Sequence, residues 1–159
     1  MFWVTIIVLV ALDQLTKMLV VYNIPFGSSV PFLGNFMQLT YVQNTGASFS
    51  ILEGQRIFFI IATVLVLTVV AIVHFKFAIK NRAFQYTLAV FFGGTMGNFI
   101  DRLRIGAVID FFDLGWFPIF NIADSCIVLS VIALCVMILF GEAGRELNKK
   151  KTVENNAGN

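Results

Sequence analysis

Five aspartates lie in or beside stretches that are otherwise apolar, which makes them the strongest candidates for chemistry in this sequence. Asp13 lies within the first apolar run and Asp101 closes the third. Asp110 and Asp113 follow in a short apolar segment, and Asp124 opens the fourth run. A carboxylate near hydrocarbon costs about 2.5–3.5 kcal/mol on insertion scales. We therefore expect each of them to have a partner or a task.

Asp110 and Asp124 form the pair suited to hydrolysis. The segment around Asp110 is too apolar for a solvated loop, so an unpaired carboxylate there would be costly. Asp124 falls in the first turn of a predicted helix, where the helix dipole favours a carboxylate and N-terminal position alone could explain it. The link between the two is short, and we predict that they converge. Asp113 faces the opposite way under strand alternation and is interpreted as a turn residue.

Two neighbouring carboxylates have a definite chemistry. Like charges a few ångströms apart do not both ionise easily, so the pair shares a proton and titrates in two steps. One carboxylate then polarises a water molecule while the other donates a hydrogen bond to a scissile carbonyl, as in aspartic proteases. Proton relays also use membrane aspartates, so spacing alone leaves both chemistries open.

Asp13 and Lys17 are four residues apart on the first predicted helix, in the order that favours a helical ion pair. We interpret them as a paired charge that locks this helix to its neighbours. The alternative is that Lys17 is a base that activates a serine, which would require Ser48 or Ser50 within reach.

The end of the third run is rich in polar and small residues. Asn98, Asp101 and Arg102 share one helical face, and Gly93 with Gly97 forms a small-residue face that lets a neighbouring backbone approach closely. Asp101 is expected to pair with Arg102 or to anchor the helix end. Asn98 is expected to hydrogen-bond either a partner helix or a bound substrate. Asn121, just before the fourth run, is a good N-cap residue.

Other chemistries are poorly supplied. The only histidine, His74, falls at the cytoplasmic end of the second run, which argues against a histidine-based metal site or a serine–histidine dyad on the outer face. Cys126 and Cys135 are separated by about 900° of helical rotation, so they face opposite sides and are interpreted as packing residues. The motif 46–50 lacks the last glycine of a nucleophile elbow.

The elements that must position these residues are membrane helices. Mean hydropathy is +0.88 and 13% of residues are charged, against about 25% in ordinary domains. Runs 2–21, 57–75, 84–100 and 122–140 are long enough to cross a bilayer, which takes about 20 apolar residues. The third run is the weakest because it is short and glycine-rich. The sequence therefore predicts an all-α membrane protein with four transmembrane helices.

Lysines and arginines set the expected orientation. The link between runs two and three and the tail after run four carry an excess of basic residues, so both are predicted to be cytoplasmic, together with both termini. The net charge of +2 reflects this bias, and no nucleic-acid partner is implied. The first run carries Asp13 and Lys17 and lacks a basic leading region, so we do not interpret it as a cleaved signal peptide.

Two links are predicted to carry the remaining structure. Residues 31–43 alternate in polarity and predict strands of a small sheet on the outer membrane surface. Residues 47–52 predict a short interfacial helix, and residues 105–120 add one or two strands. Residues 1–141 are expected to form one membrane domain, and residues 142–159 a disordered cytoplasmic tail.

Five sequence blocks together resemble lipoprotein signal peptidase (signal peptidase II). They occur in that family's order and span nearly the whole chain from residue 13 to residue 125. The blocks are DQLTK at 13–17, NTGASFS at 44–50, GNFIDR at 97–102, VIDF at 108–111 and FNIADS at 120–125. The chain departs from the family pattern in Ala47-Ser48, where two alanines are usual, and in lacking leading lysines.

The resemblance implies a four-helix aspartyl protease of the bacterial inner membrane, with an extracytoplasmic antiparallel β-cradle and an interfacial helix, and we expect the protein to be a monomer. Such enzymes work among membrane lipids, use no cofactor or metal, and are inhibited by globomycin-type peptides. They cut prolipoprotein signal peptides before a diacylglyceryl-modified cysteine. By motif position the resemblance assigns catalysis to Asp110 and Asp124, substrate contacts to Asn44, Asn98, Arg102 and Asn121, and structural support to Asp13, Lys17 and Asp101.

Two other functions remain as alternatives. A small proton-coupled membrane carrier would use the aspartates as a relay, and it would require carboxylates spread through the membrane depth. Four of the five aspartates are instead expected at the outer boundary, and a proteoliposome flux assay separates the two functions. A non-catalytic membrane scaffold leaves the approach of two acids in an apolar segment unexplained.

Overall fold

The computed structural model of the protein describes residues 1–34, 36–46, 52–76 and 81–141. This part of the chain contains four helices and three strands, in the order α1 (Phe2–Asn23), β1 (Ser29–Leu33), β2 (Met37–Asn44), α2 (Arg56–Lys76), α3 (Arg82–Arg104), β3 (Val108–Asp113) and α4 (Ile122–Phe140). All four predicted helices are therefore present. They extend somewhat past the apolar runs because polar residues continue the helical backbone at several ends.

Helix α3 is the central helix, since it packs against α1, α2 and α4. Among the described helices, α1, α2 and α4 are long and apolar enough to cross a membrane, with mean hydropathies of 2.0, 2.8 and 2.6. Helix α3 falls outside this class because glycines and a polar C-terminal turn lower its hydropathy. Eight of its residues are buried, and the helix packs against the other three.

Glycines on α3 allow this close packing. A Cβ atom added at Gly93 would lie 3.2 Å from the Cβ of Leu9, and one at Gly97 would lie 2.5 Å from Oδ2 of Asp13. Gly93 and Gly97 therefore form the predicted small-residue face, and that face is turned towards α1. Gly94 allows α4 to approach closely, because an added Cβ would lie 2.6 Å from the carbonyl oxygen of Ala123 on α4.

The strands form one antiparallel sheet in the order β1-β2-β3. Val42 on β2 pairs with Asp110 on β3, and Asn44 pairs with Val108, so the end of β2 lies beside Asp110. A cluster of buried apolar side chains joins the sheet to the C-terminal end of α1: Val20, Ile24, Tyr41, Ile109 and Phe111. This cluster fixes the position of β3, and therefore of Asp110, relative to the helices.

The prediction of a small sheet from residues 31–43 and 105–120 is confirmed. Most of the predicted interfacial helix, residues 47–51, lies outside the described residues, and Leu52 lies in a turn. The predicted disordered tail, residues 142–159, also lies outside the described residues.

Candidate active site

Asp110 and Asp124 line the same cavity, which has a volume of about 340 Å³. Asp110 comes from β3, and Asp124 comes from the first turn of α4. The polar end of the cavity also includes Asn44, Asn98 and Arg102. The rest of the wall is mostly apolar, formed by Val108, Phe117, Pro118, Ile119, Phe120, Val128 and Leu129, with Gly46 and Ser125.

Asn121 holds the two carboxylates in place. Its side-chain Nδ2 donates to Oδ1 of Asp110 at 2.7 Å, and its backbone N–H donates to Oδ2 of Asp124 at 3.2 Å. Its Oδ1 accepts from the backbone N–H of Asp124 at 2.8 Å. Asn121 and Asp124 thus form a reciprocal capping box at the start of α4, so the predicted N-cap is confirmed. Asn121 is fully buried, and its amide faces the carboxylates rather than the cavity.

Each carboxylate also accepts a hydrogen bond from a second asparagine. Asn44 donates from Nδ2 to Oδ2 of Asp110 at 3.1 Å. Asn98 donates from Nδ2 to Oδ1 of Asp124 at 2.7 Å. Both oxygens of each aspartate are therefore oriented by N–H donors from neighbouring elements.

The electrostatic surroundings of Asp110 favour its protonated form. Its pKa is raised from 3.8 to about 7, first by burial and then by the negative charge of Asp124. Hydrogen bonds from Asn44 and Asn121 and the positive charge of Lys17 act in the opposite direction on this pKa. Near neutral pH the carboxyl pair can therefore retain one proton.

A second buried network lies behind the carboxylates. The ammonium group of Lys17 lies 2.9 Å from Oδ2 of Asp13 and 2.8 Å from Oδ2 of Asp101, and all three side chains are 1% exposed. It also donates to Oδ1 of Asn98 at 2.9 Å. The predicted ion pair of Asp13 with Lys17 is confirmed.

The expected pairing of Asp101 with Arg102 is wrong, because the partner of Asp101 is Lys17. Adjacent residues on a helix point in different directions, so Asp101 faces α1 while Arg102 faces the cavity. The contacts of Lys17 argue against its alternative role as a serine-activating base, because its three N–H groups are all donated to buried acceptors. The serines proposed for it, Ser48 and Ser50, lie outside the described residues.

The acids of this second network anchor the chain next to each cavity aspartate. Oδ1 of Asp13 accepts from the backbone N–H of Ala123 at 3.1 Å, one residue before Asp124. Oδ2 of Asp101 accepts from the backbone N–H of Ile109 at 3.2 Å, one residue before Asp110. These two carboxylates therefore support the site from behind.

Arg102 is the cationic residue of the cavity wall. Its guanidinium lies 4.7 Å from the centroid of the Phe59 ring, and Nη2 donates to the carbonyl oxygen of Gly46 at 3.2 Å. Sequence reasoning missed Arg56, which donates to the carbonyl oxygens of Arg102 and Leu103 at the end of α3. The available signal was that Arg56 is the one basic residue in the link between the first two runs.

The remaining candidates lie away from the cavity. Asp113 is the last residue of β3 and accepts from Oγ1 of Thr40 and from the backbone N–H of Gly115, both at 2.8 Å; the second contact is the one expected for a turn residue. Cys126 and Cys135 are both free. Within the described ranges, no three His, Cys, Asp or Glu side chains are grouped as ligands for a metal ion.

Comparison with known proteins identifies the family of this chain. The family model for signal peptidase (SPase) II matches residues 5–140. A lipoprotein signal peptidase of Moorella thermoacetica is 41% identical over 142 residues, which cover 88% of this chain and 95% of that protein. A lipoprotein signal peptidase of Caldanaerobacter subterraneus is 45% identical over 133 residues, covering 82% and 90%.

The fold is also similar to that of a solved structure. A structure described as a bacterial membrane enzyme superposes with a TM-score of 0.84 at 34% identity, covering 91% of this chain and 90% of that one. This chain belongs to the signal peptidase II family.

Proposed function

We propose that this protein is an intramembrane aspartic endopeptidase that removes signal peptides from prolipoproteins. The bond it hydrolyses is the one before the diacylglyceryl-modified cysteine. The observation that carries the proposal is the pair Asp110 and Asp124 on one cavity, each oriented by two N–H donors. Family membership and the names of the relatives support the substrate class.

The two carboxyl groups are proposed to have different roles. Because the pair shares one proton and Asp110 holds it, we assign the ionised form to Asp124, which takes the proton of the attacking water. Asp110 has a raised pKa and holds the shared proton, so it donates a hydrogen bond to the scissile carbonyl. The water oxygen bonds to the carbonyl carbon, and a tetrahedral intermediate forms.

The second half of the reaction breaks the peptide bond. The carbon–nitrogen bond cleaves, and the leaving amine takes the proton that Asp124 received from water. The products are the signal peptide with a new carboxyl terminus and the lipid-modified chain with a free cysteine amine. The only co-reactant is water, so the proposal requires neither a cofactor nor a metal.

The cavity wall suits a lipid-modified peptide. Val128 and Leu129 line the cavity and are also largely exposed on α4, so its apolar wall continues onto the outer face of the helix. We assign contacts with the substrate to Asn44 and Arg102 from their place on the wall. Asn98 lines the wall as well, whereas Asn121 is behind it and is assigned to holding the carboxylates.

The proposed setting is the bacterial cytoplasmic membrane. Four helices cross the bilayer, with both termini cytoplasmic and the sheet and cavity on the extracytoplasmic side. The hydropathies of α1, α2 and α4 and the basic residues of the cytoplasmic segments support this orientation. Helix α3 crosses the bilayer packed against its three neighbours, so less of its surface must be apolar, which explains its lower hydropathy. We also propose that the protein is a monomer surrounded by lipid and that globomycin-type peptides inhibit it.

Cleavage of a defined precursor tests this function. The purified protein is incubated in detergent with a diacylglyceryl-modified prolipoprotein, with the same precursor lacking the lipid, and with the modified precursor plus a chelator. We expect cleavage before the modified cysteine in the first and third reactions and none in the second. An intact lipid-modified precursor, or loss of cleavage with the chelator, would contradict the proposal.

A further inference from the structure

Lys17 is a buried cation that makes no contact with the cavity. Its side chain is 1% exposed and is absent from the cavity wall. Its three N–H donors are used by Asp13, Asp101 and Asn98 at 2.8–2.9 Å. The third of these contacts is the one that reaches towards the proposed catalytic pair.

The contact with Lys17 determines which way the Asn98 amide faces. An ammonium group only donates hydrogen bonds, so the amide oxygen must face Lys17. The amide nitrogen is then directed at Asp124, to which it donates at 2.7 Å. The reversed amide would place N–H groups against the ammonium and an oxygen against the carboxylate. Both contacts would be repulsive.

Asn121 also donates a hydrogen bond to the Asn98 amide oxygen, but this contact is longer. Its Nδ2 group has two hydrogens and three acceptors within reach, the oxygens of Asn98 at 3.1 Å, Ile109 at 3.2 Å and Asp110 at 2.7 Å. The shortest of these contacts is the one to Asp110. Of the two donors that contact the Asn98 amide oxygen, Lys17 at 2.9 Å is therefore the closer and the charged one.

We propose that Lys17 is a positioning residue that fixes the Asn98 amide and so keeps an N–H donor directed at Asp124. This inference rests on the proposed function of Asp124. It goes beyond charge pairing, because the ion pairs with Asp13 and Asp101 require only the first two contacts of Lys17. A charge-balancing role predicts that all neutral replacements are equally harmful. A positioning role predicts that a neutral N–H donor retains part of the activity.

The matched variants Lys17→Met and Lys17→Gln separate these roles. Both remove the charge and are of similar length, but only glutamine offers N–H donors to Asn98. We measure kcat and KM for cleavage of the diacylglyceryl-modified precursor, normalised to the folded fraction from thermal unfolding. We expect kcat for Lys17→Met to be about 10-fold to 100-fold below that for Lys17→Gln, with KM unchanged, because misplacement of a reacting group costs up to that factor.

Equal kcat values in the two variants would overturn the proposal. If neither variant folds, the same pair is compared in an Asp13→Asn background, which removes one of the carboxylates left without a cation. A second readout is independent of turnover: the ¹⁵N-labelled side-chain amide of Asn98. We expect one set of amide resonances in the wild type and in Lys17→Gln, and two sets in Lys17→Met. A single set in Lys17→Met would overturn the positioning role, whereas a wild type that does not cleave would overturn only the proposed function.

Discussion

Replacing Asp110 with asparagine is expected to stabilise the protein at alkaline pH. Asp110 is 2% exposed, and the pKa of its carboxyl group is raised from 3.8 to about 7. A group with a raised pKa holds its proton more tightly in the folded state than in the unfolded state. Its contribution to stability is therefore complete below about pH 4 and is lost as the pH rises through about 7.

The size of this loss follows from the pKa. Each pKa unit corresponds to about 1.4 kcal/mol, so the free energy of unfolding of the wild type falls by about 4 kcal/mol between pH 4 and pH 8. Asp110→Asn has no carboxyl group at this position and does not show this fall. The variant has one side-chain oxygen where Asn44 and Asn121 both donate, so it loses one hydrogen bond, worth about 1 kcal/mol at every pH. Relative to the wild type, it should be about 1 kcal/mol less stable at pH 4 and about 3 kcal/mol more stable at pH 8.

Thermal unfolding of the purified variants in detergent at pH 4, 6 and 8 measures this difference. For a chain of this length, about 3 kcal/mol corresponds to a rise of roughly 6–12 °C in melting temperature at pH 8. Asp113→Asn is the control, because this residue lies on the same strand outside the cavity. Its difference from the wild type should change little with pH. A constant difference between Asp110→Asn and the wild type from pH 4 to pH 8 would refute the reasoning.

Three further predictions follow from the same geometry. Gly97→Ala is expected to lower the free energy of unfolding by about 1–3 kcal/mol, because the added Cβ would lie 2.5 Å from Oδ2 of Asp13. An unchanged melting temperature would contradict this. Asn121→Ala removes the N-cap of α4 and should lower stability by about 0.5–2 kcal/mol, together with kcat; wild-type values of both would count against its role. The cleavage rate should fall as the pH rises through about 7, where Asp110 loses its proton; a flat rate profile from about pH 4 to 10 would exclude a shared proton.

The elements of the fold could be predicted well because they depend on local patterns. Apolar runs located all four helices, and alternation of polarity located the sheet. The ends of α3 were less well predicted, since hydropathy does not register the polar residues at Arg82 and Arg104 that continue the helix. Asn121 was recognised as an N-cap because capping is itself a local interaction.

The partners of buried polar groups could not be predicted in the same way. Asp101 is adjacent to Arg102 in sequence, but its partner Lys17 lies 84 positions away on another helix. The sequence does not decide whether Asn98 bonds to a neighbouring helix or to a substrate. In the structure its amide contacts Lys17, Asn121 and Asp124. Such contacts depend on the packing of α1, α3 and α4, which periodicity along a single helix does not encode.

The most direct measurement compares cleavage of a diacylglyceryl-modified prolipoprotein by the wild type, Asp110→Asn and Asp124→Asn. Asp113→Asn serves as the matched control outside the cavity. We expect the wild type and the control to cleave the precursor, and each cavity variant to remain folded without detectable cleavage. Turnover near the wild-type rate in either cavity variant would contradict the assignment of the two carboxylates.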